Sequence, residues 1–214
     1  MHSVKVVPAI LTDDPVELAR LIALANRFAP FVQVDIMDGA FVPTRSVAMA
    51  DLCEQDIRFK WEAHLMVADP LAYLSSCRKA GAARVIFHIE SEGDPFEVVS
   101  QAHALGLDIG VAVNPPTPVG GIQAILPVVD SVLLMTVFPG YYGAPFVPEV
   151  MSKVGLVRAA CHGMEIGVDG GVKESNLVDV ARHGVDAVCV GSAVFASPDP
   201  EASYLRLVSL AQSL

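Results

Sequence analysis

Residues 59–88 have the sequence FKWEAHLMVADPLAYLSSCRKAGAARVIFH, which contains one complete strand–helix–strand unit. Phe59–Leu65 and Arg84–His88 are short apolar runs, which are typical of strands buried on both faces of a parallel sheet. Pro70–Ala80 lies between them. It begins with a proline after an aspartate and ends before a glycine, as helices commonly do. The stretch therefore predicts two parallel strands connected by a helix.

The same unit recurs along the whole chain. Eight apolar runs predict strands: Val4–Ile10, Phe31–Ile36, Phe59–Leu65, Arg84–His88, Asp108–Val113, Ser131–Thr136, Met164–Asp169 and Ala187–Val190. Eight longer stretches predict helices: Pro15–Arg27, Ser46–Glu54, Pro70–Ala80, Pro95–Leu105, Val119–Leu126, Val147–Ala159, Glu174–His183 and Pro200–Gln212. We therefore expect an α/β fold, a single (β/α)8 TIM barrel over residues 1–214. An open doubly wound sheet is the alternative, but it usually has fewer units and a glycine-rich first turn, which residues 10–13 lack.

The composition limits the classes of function. Of the 214 residues, 53% are hydrophobic, and the formal net charge is −10. Nucleic-acid binding usually requires a basic stripe, and the sequence contains none. No signal peptide is visible, and no apolar run reaches the roughly 18 residues of a membrane span. We expect a cytoplasmic protein with neither a nucleic-acid nor a membrane partner. The four cysteines form no CxxC pair, which disfavours a disulfide framework or a cysteine zinc site.

Polar residues collect at the carboxyl ends of the predicted strands, where barrels of this type carry their active sites. Gln33 and Asp35 alternate along the second strand, so both side chains point into the barrel mouth. Asp35 and Asp169 lie in otherwise apolar strands, where a buried carboxylate needs a partner. The nearest candidate partners are His64 and His88. We expect Asp35, His64 and Asp169 to converge on one mouth.

These residues also have purely structural interpretations. A histidine at a strand end is more often a hydrogen-bonded core residue than a ligand. Methionines are ordinarily core filler. However, three of them, Met37, Met66 and Met135, lie at or near the mouth ends of strands two, three and six. That placement favours a role beside the site.

Two glycine turns predict an anion site. Gly170-Gly171 follows the seventh strand, and Gly191-Ser192 follows the eighth. Barrels frequently bind phosphate after these two strands through loop N–H groups. Glycine also lets the backbone approach a ligand closely.

Several stretches resemble the ribulose-phosphate 3-epimerase family and occur in the family's order along nearly the whole chain. They are Pro8–Leu11, Val34–Gly39 with Phe41–Pro43, Ala63–Val67, Lys79–Ala82, Asn114-Pro115 with Thr117-Pro118, Met135–Val137 with Pro139-Gly140, Val168–Val172 and Gly191–Ala193. The segment with Met-Asp-Gly-x-Phe-Val-Pro is the most specific of them.

The resemblance implies an isomerase of the pentose phosphate pathway that epimerises C3 of a ketose phosphate, D-ribulose 5-phosphate above all. It implies that Asp35 and Asp169 transfer protons on opposite faces of the substrate through an enediolate, stabilised by a divalent metal ion (Zn, Fe, Mn, Co or Mg). The implied metal ligands are Gln33, Asp35, His64 and Asp169. The implied substrate-binding residues are Ala9, Met37, His64, Met66, Met135, Gly140, Gly143, Gly170, Gly171, Gly191 and Ser192. A homo-oligomer is expected.

The chain departs from the family pattern at four places. Gln33 replaces the family's first histidine ligand, and an amide is a weaker ligand than imidazole for zinc or iron. Ala9 replaces a serine that contacts the substrate, Phe138 replaces an asparagine, and residues 142–144 replace a Gly-Gly-Gln loop. These departures predict an altered metal preference, an empty metal site or another sugar phosphate.

Three other functions stay open. A metal-poor paralogue would bind a sugar phosphate without the parent reaction. A sugar-phosphate lyase is the second possibility, but a Schiff-base aldolase needs a lysine in the mouth. The five lysines fall at strand starts or in or beside helices, and the Asp-x-Lys-x-x-Asp pattern of decarboxylases is absent. A non-catalytic interaction role is a further alternative.

Overall fold

A computed structural model describes residues 4–140 and 143–213. Eight parallel strands form a closed barrel in sequence order, which confirms the predicted (β/α)8 fold. The strands are β1 (Lys5–Ile10), β2 (Phe31–Met37), β3 (Lys60–Met66), β4 (Arg84–His88), β5 (Asp108–Val113), β6 (Ser131–Met135), β7 (Glu165–Asp169) and β8 (Ala187–Val190). That the whole chain acts as one domain stays a prediction.

Helices surround the barrel. They are α1 (Pro15–Ala25), α2 (Met49–Cys53), α3 (Leu71–Lys79), α4 (Pro95–Ala104), α5 (Ser152–Ala160), α6 (Leu177–Arg182), α7 (Ser192–Phe195) and α8 (Pro200–Gln212). An aspartate caps α1, α4 and α8 by accepting a hydrogen bond from a first-turn N–H, and a proline follows each cap. This arrangement explains why the helix starts were visible in the sequence.

The predicted helix over 119–126 is wrong. Two 3-10 turns, Val119–Ile122 and Leu126–Val128, connect β5 to β6 instead. Gly120 and Gly121 lower helix propensity, and Pro127, the second residue of the second turn, has no backbone donor. The predicted helix over 46–54 is shorter than expected, and α7 was not predicted.

Two layers of apolar side chains pack the fold. Strand residues such as Val32, Leu65 and Val111 are buried against the helices. Ala9, Met135 and Cys189 belong to a second cluster that also contains Val7 and Ile86. Within the barrel wall, Asp35 pairs with His64 and Met135 with Asp169, so the register alone places the site residues at one level.

The remaining sequence-based expectations concern the surface and the thiols. No helix within the described ranges is long and apolar enough to cross a membrane. All four cysteines are free. Tyr142, which belongs to the loop that departs from the family pattern, lies outside the described residues.

Candidate functional site

Two carboxylates and an amide meet at the mouth of the barrel. Gln33 Nε2 donates to Asp35 Oδ1 at 3.0 Å and to Asp169 Oδ2 at 2.8 Å. Its Oε1 accepts a hydrogen bond from Cys189 Sγ at 3.1 Å. Gln33 is fully buried, whereas Asp35 and Asp169 keep 8% and 9% of their surface exposed. One side chain therefore joins two carboxylates that reach the same opening.

His64 lies beneath the carboxylates. Its Nδ1 is 2.9 Å from Asp35 Oδ1 and 3.4 Å from Asp169 Oδ2. Its Nε2 is 3.0 Å from His88 Nε2, and His88 Nδ1 is 3.3 Å from Glu90 Oε2. His64 thus meets the two aspartates as expected, whereas His88 contacts His64 rather than a carboxylate of the pair. The structural interpretation of a hydrogen-bonded histidine therefore describes His88.

The local electrostatics distinguish these groups. Burial raises the pKa of Asp169 to about 6, and the charge of Asp35 adds to the effect. Burial alone would lower the pKa of His64, but the hydrogen bond to Asp35 and the nearby negative charges raise it. Burial lowers the pKa of His88 to about 4. The two histidines therefore differ: the neighbouring carboxylates favour protonation of His64, whereas burial disfavours protonation of His88.

The donor set fits a divalent cation. One ligand atom each from Asp35, His64 and Asp169 lies within 4.8 Å of the others. Adjacent buried carboxylates repel each other, and a positive charge between them removes the repulsion. Carboxylate and imidazole ligands suit several divalent metals. Gln33 turns its nitrogen toward this point, so a half-turn of its amide is needed before its oxygen could join the ligands.

A cavity opens above the carboxylates, with an empty volume of about 700 Å³ that includes the part open to solvent. Its lining includes Asp35 and Asp169 together with ten of the predicted substrate-binding residues: Ala9, Met37, Met66, Met135, Gly140, Gly143, Gly170, Gly171, Gly191 and Ser192. His64 and Gln33 do not line it. His64, which was also expected to contact the substrate, is fully buried below.

Hydrogen bonds hold the loops around the cavity. Thr136 Oγ1 donates toward the carbonyl oxygens of Asp169 at 2.9 Å and Gly170 at 2.6 Å. Gly170 has a φ of +111°. A Cβ at that position would lie 2.4 Å from a methyl carbon of Val137. Glycine is therefore required at position 170 both by the backbone conformation and by the space available.

Cys189 is a site residue that the sequence analysis missed. It lines the cavity, contacts Gln33 and pairs with Asp169 in the barrel wall. Its position two residues before Gly191 on a strand whose alternate side chains face inward was the available signal. The sequence-based interpretation of the cysteines concerned only disulfides and zinc sites.

Comparison with known proteins gives consistent matches. The chain matches the family model described as the Ribulose-phosphate 3 epimerase family over residues 5–195. It is 35% identical over 206 residues to the ribulose-phosphate 3-epimerase of Synechocystis sp., covering 92% of this chain and 90% of that protein. It is 36% identical over 210 residues to the protein of the same name from Mycobacterium tuberculosis (strain H37Rv), with coverages of 94% and 90%.

Solved structures share the fold at low sequence identity. A 3-hexulose-6-phosphate synthase from Salmonella typhimurium superposes with a TM-score of 0.73 at 15% identity, covering 98% of this chain and 99% of that one. Orotidine 5'-phosphate decarboxylase from Pyrococcus horikoshii OT3 gives a TM-score of 0.68 at 16% identity, with coverages of 98% and 100%. At these identities the likeness concerns the fold alone.

Proposed function

The chain belongs to the ribulose-phosphate 3-epimerase family, a family of carbohydrate isomerases, and on this premise we propose that it interconverts D-ribulose 5-phosphate and D-xylulose 5-phosphate by inverting C3. The observation that carries the proposal is the pair of carboxylates, Asp35 and Asp169, at one cavity. A 1,1-proton transfer needs a base and an acid that reach the same carbon from opposite faces.

In the proposed reaction the two aspartates exchange roles with the direction. One carboxylate removes the C3 proton and leaves an enediolate, and the other carboxyl group returns a proton to the opposite face. The carboxyl pair must therefore hold one proton in the active form. The raised pKa of Asp169 supports this arrangement, because burial beside Asp35 favours the retention of a proton.

We propose Asp35, His64, Asp169 and, after rotation of its amide, Gln33 as the ligands of a divalent metal ion. When bound, such an ion would supply a Lewis acid that stabilises negative charge on the enediolate oxygens. The protein's own contribution is to hold the carboxylates. Gln33 Nε2 bridges them in the structure, and Cys189 holds the other end of the amide.

The opposite end of the cavity would take the phosphate. Gly171, Gly191 and Ser192 lie after β7 and β8, where backbone N–H groups can approach an anion. The Asn176 side chain braces this region by donating from Nδ2 to the carbonyl of Gly171 at 3.0 Å. Met37, Met66 and Met135 provide the apolar wall beside the reacting carbon, and Gly140, Gly143 and Gly170 shape the rim.

Deuterium exchange tests the proposal. Wild-type protein with D-ribulose 5-phosphate in D2O should incorporate solvent deuterium at C3. We expect Asp35→Asn and Asp169→Asn each to lower kcat by about 10²–10⁴-fold, the usual contribution of a general acid or base. The matched control is Asp179→Asn, since the Asp179 side chain on α6 is 76% exposed. Full activity in both site variants would refute the proposal.

A second candidate is a paralogue that binds a sugar phosphate without this reaction. It is favoured by Ala9, which lines the cavity where the family has a polar contact, and by the amide nitrogen that Gln33 presents to the carboxylates. Metal analysis of purified protein, together with turnover of D-ribulose 5-phosphate with and without chelator, separates the two. Robust turnover would exclude the paralogue. No lysine is among the described residues that line the cavity, which disfavours a Schiff-base lyase.

A further inference from the structure

A chain of three polar side chains leads from the site to the loop after β4, and the reaction outlined above does not use its far end. It passes from His64 to His88 and ends at Glu90. Both histidines are fully buried. Buried polar groups of this kind are costly unless every donor meets an acceptor, so the hydrogen atoms along the chain can be assigned.

The assignment starts at Glu90. Its Oε1 accepts the N–H of Asn114 at 2.9 Å, and its Oε2 faces His88 Nδ1. An ionised carboxylate only accepts, so the hydrogen of this contact lies on His88 Nδ1. A neutral imidazole carries one hydrogen, which leaves His88 Nε2 as an acceptor. His64 Nε2 must then donate across the 3.0 Å contact.

This assignment fixes the other nitrogen of His64. A neutral His64 with its hydrogen on Nε2 has a lone pair on Nδ1, and that atom lies 2.9 Å from Asp35 Oδ1. A lone pair directed at a carboxylate is unfavourable unless a cation lies between them. The opposite tautomer would place a hydrogen in that position and block a metal ion. Histidines that bind metals usually donate their other N–H to a partner in this way.

We propose that His88 and Glu90 are positioning residues that hold His64 in its Nε2–H tautomer, so that Nδ1 is presented as a metal ligand. The inference rests on the proposed function for the metal but not on the identity of the sugar.

Neighbouring groups restrain the side chains of His64, His88 and Glu90. Phe41 packs on His88 with ring centroids 4.8 Å apart, and the ring of His64 stacks on that of His88 at 5.1 Å. The backbone that binds Glu90 is held in turn by Lys153, whose Nζ donates to the carbonyl of Asn114 at 2.9 Å. These contacts restrain the ring planes and the carboxylate together.

The test compares two substitutions at one position. His88→Met removes both polar atoms, whereas His88→Gln keeps an acceptor and a donor on one side chain. Zn²⁺ affinity is measured by competition with a chromophoric chelator, without substrate. We expect His88→Met to weaken Zn²⁺ binding about 10–100-fold, as other outer-shell losses do, and His88→Gln to recover most of the loss. ¹⁵N NMR of the Zn²⁺-loaded wild type should show His64 with hydrogen on Nε2.

Controls separate positioning from general damage. His183→Gln changes an exposed histidine and should leave Zn²⁺ affinity unchanged. If His88→Met does not fold, Glu90→Gln is measured in its place, with weaker Zn²⁺ binding expected. Unchanged Zn²⁺ affinity in the folded variants, or a Nδ1–H tautomer of His64 in the loaded wild type, overturns the inference. If His88→Met weakens Zn²⁺ binding but the wild type does not turn over D-ribulose 5-phosphate, the proposed reaction is overturned and the inference on His88 stands.

Discussion

Replacing Asp169 by asparagine should stabilise the metal-free protein, and the gain should grow with pH. Asp169 is buried beside Asp35, and its pKa rises from 3.8 to about 6 in the folded chain. A carboxyl group with a raised pKa contributes its full stability below the unfolded value. That contribution is lost as the pH rises through the folded value. An asparagine side chain does not titrate, so the Asp169→Asn variant would escape this loss.

The magnitude follows from the shift. About two pKa units at about 1.4 kcal/mol per unit give about 3 kcal/mol of unfolding free energy. The difference between Asp169→Asn and wild type should therefore increase by about 3 kcal/mol between about pH 4 and about pH 7. For a chain of this size, that change corresponds to about 10 °C in Tm.

The assay is urea unfolding followed by circular dichroism at several pH values, with both proteins stripped of metal. Carboxyl groups elsewhere in the chain contribute the same pH dependence to the unfolding free energy of both proteins, and this contribution cancels in the difference. Asp179→Asn, whose side chain is 76% exposed, is the control for replacing a carboxylate by an amide away from the site. Saturating Zn²⁺ should stabilise wild type and remove most of its pH dependence, because the cation favours the ionised carboxylate. A flat or opposite trend for Asp169→Asn would refute the reasoning.

Three further outcomes are expected. Gly170→Ala should lower the unfolding free energy in urea by about 3 kcal/mol, through backbone strain and overlap with Val137. Gly143→Ala should lower it by about 1 kcal/mol, because φ is +74° but no described atom lies within 4 Å of the added Cβ. Equal losses would contradict this. Lys153→Met should lower stability by about 3 kcal/mol in the same assay, since its Nζ bonds three carbonyl oxygens, while epimerase activity at low temperature persists. Gln33→His should raise Zn²⁺ affinity in the chelator competition, because imidazole is a better zinc ligand than an amide; unchanged affinity would show that residue 33 is not a ligand.

The sequence predicted the barrel because the features that define it are local. Apolar runs, aspartate caps and the glycines after helices each mark one element, and eight repeats leave few ways to close a parallel sheet. The predicted helix over 119–126 does not form, because the low helix propensity of Gly120 and Gly121 decides the local structure.

The site was predictable to the level of strands and not to the level of atoms. Asp35 and Asp169 could be brought together because each lies near the end of an inward-facing strand. The direction of the Gln33 amide and its contact with Cys189 could not, since these residues are 156 positions apart and their contact depends on barrel closure. The hydrogen-bonded series from His64 through His88 to Glu90 could likewise not be predicted, because the sequence does not show which ring nitrogens face each other.

The connection from β5 to β6 has a consequence for how the barrel opens. Most other strands are backed by a helix of six or more residues, whereas here only two 3-10 turns cover the wall. Short 3-10 segments carry poorer hydrogen bonds than α-helices. Amide hydrogens of β5 and β6 should exchange with solvent earlier than those of β1 and β2. During unfolding, the barrel should open first between β5 and β6.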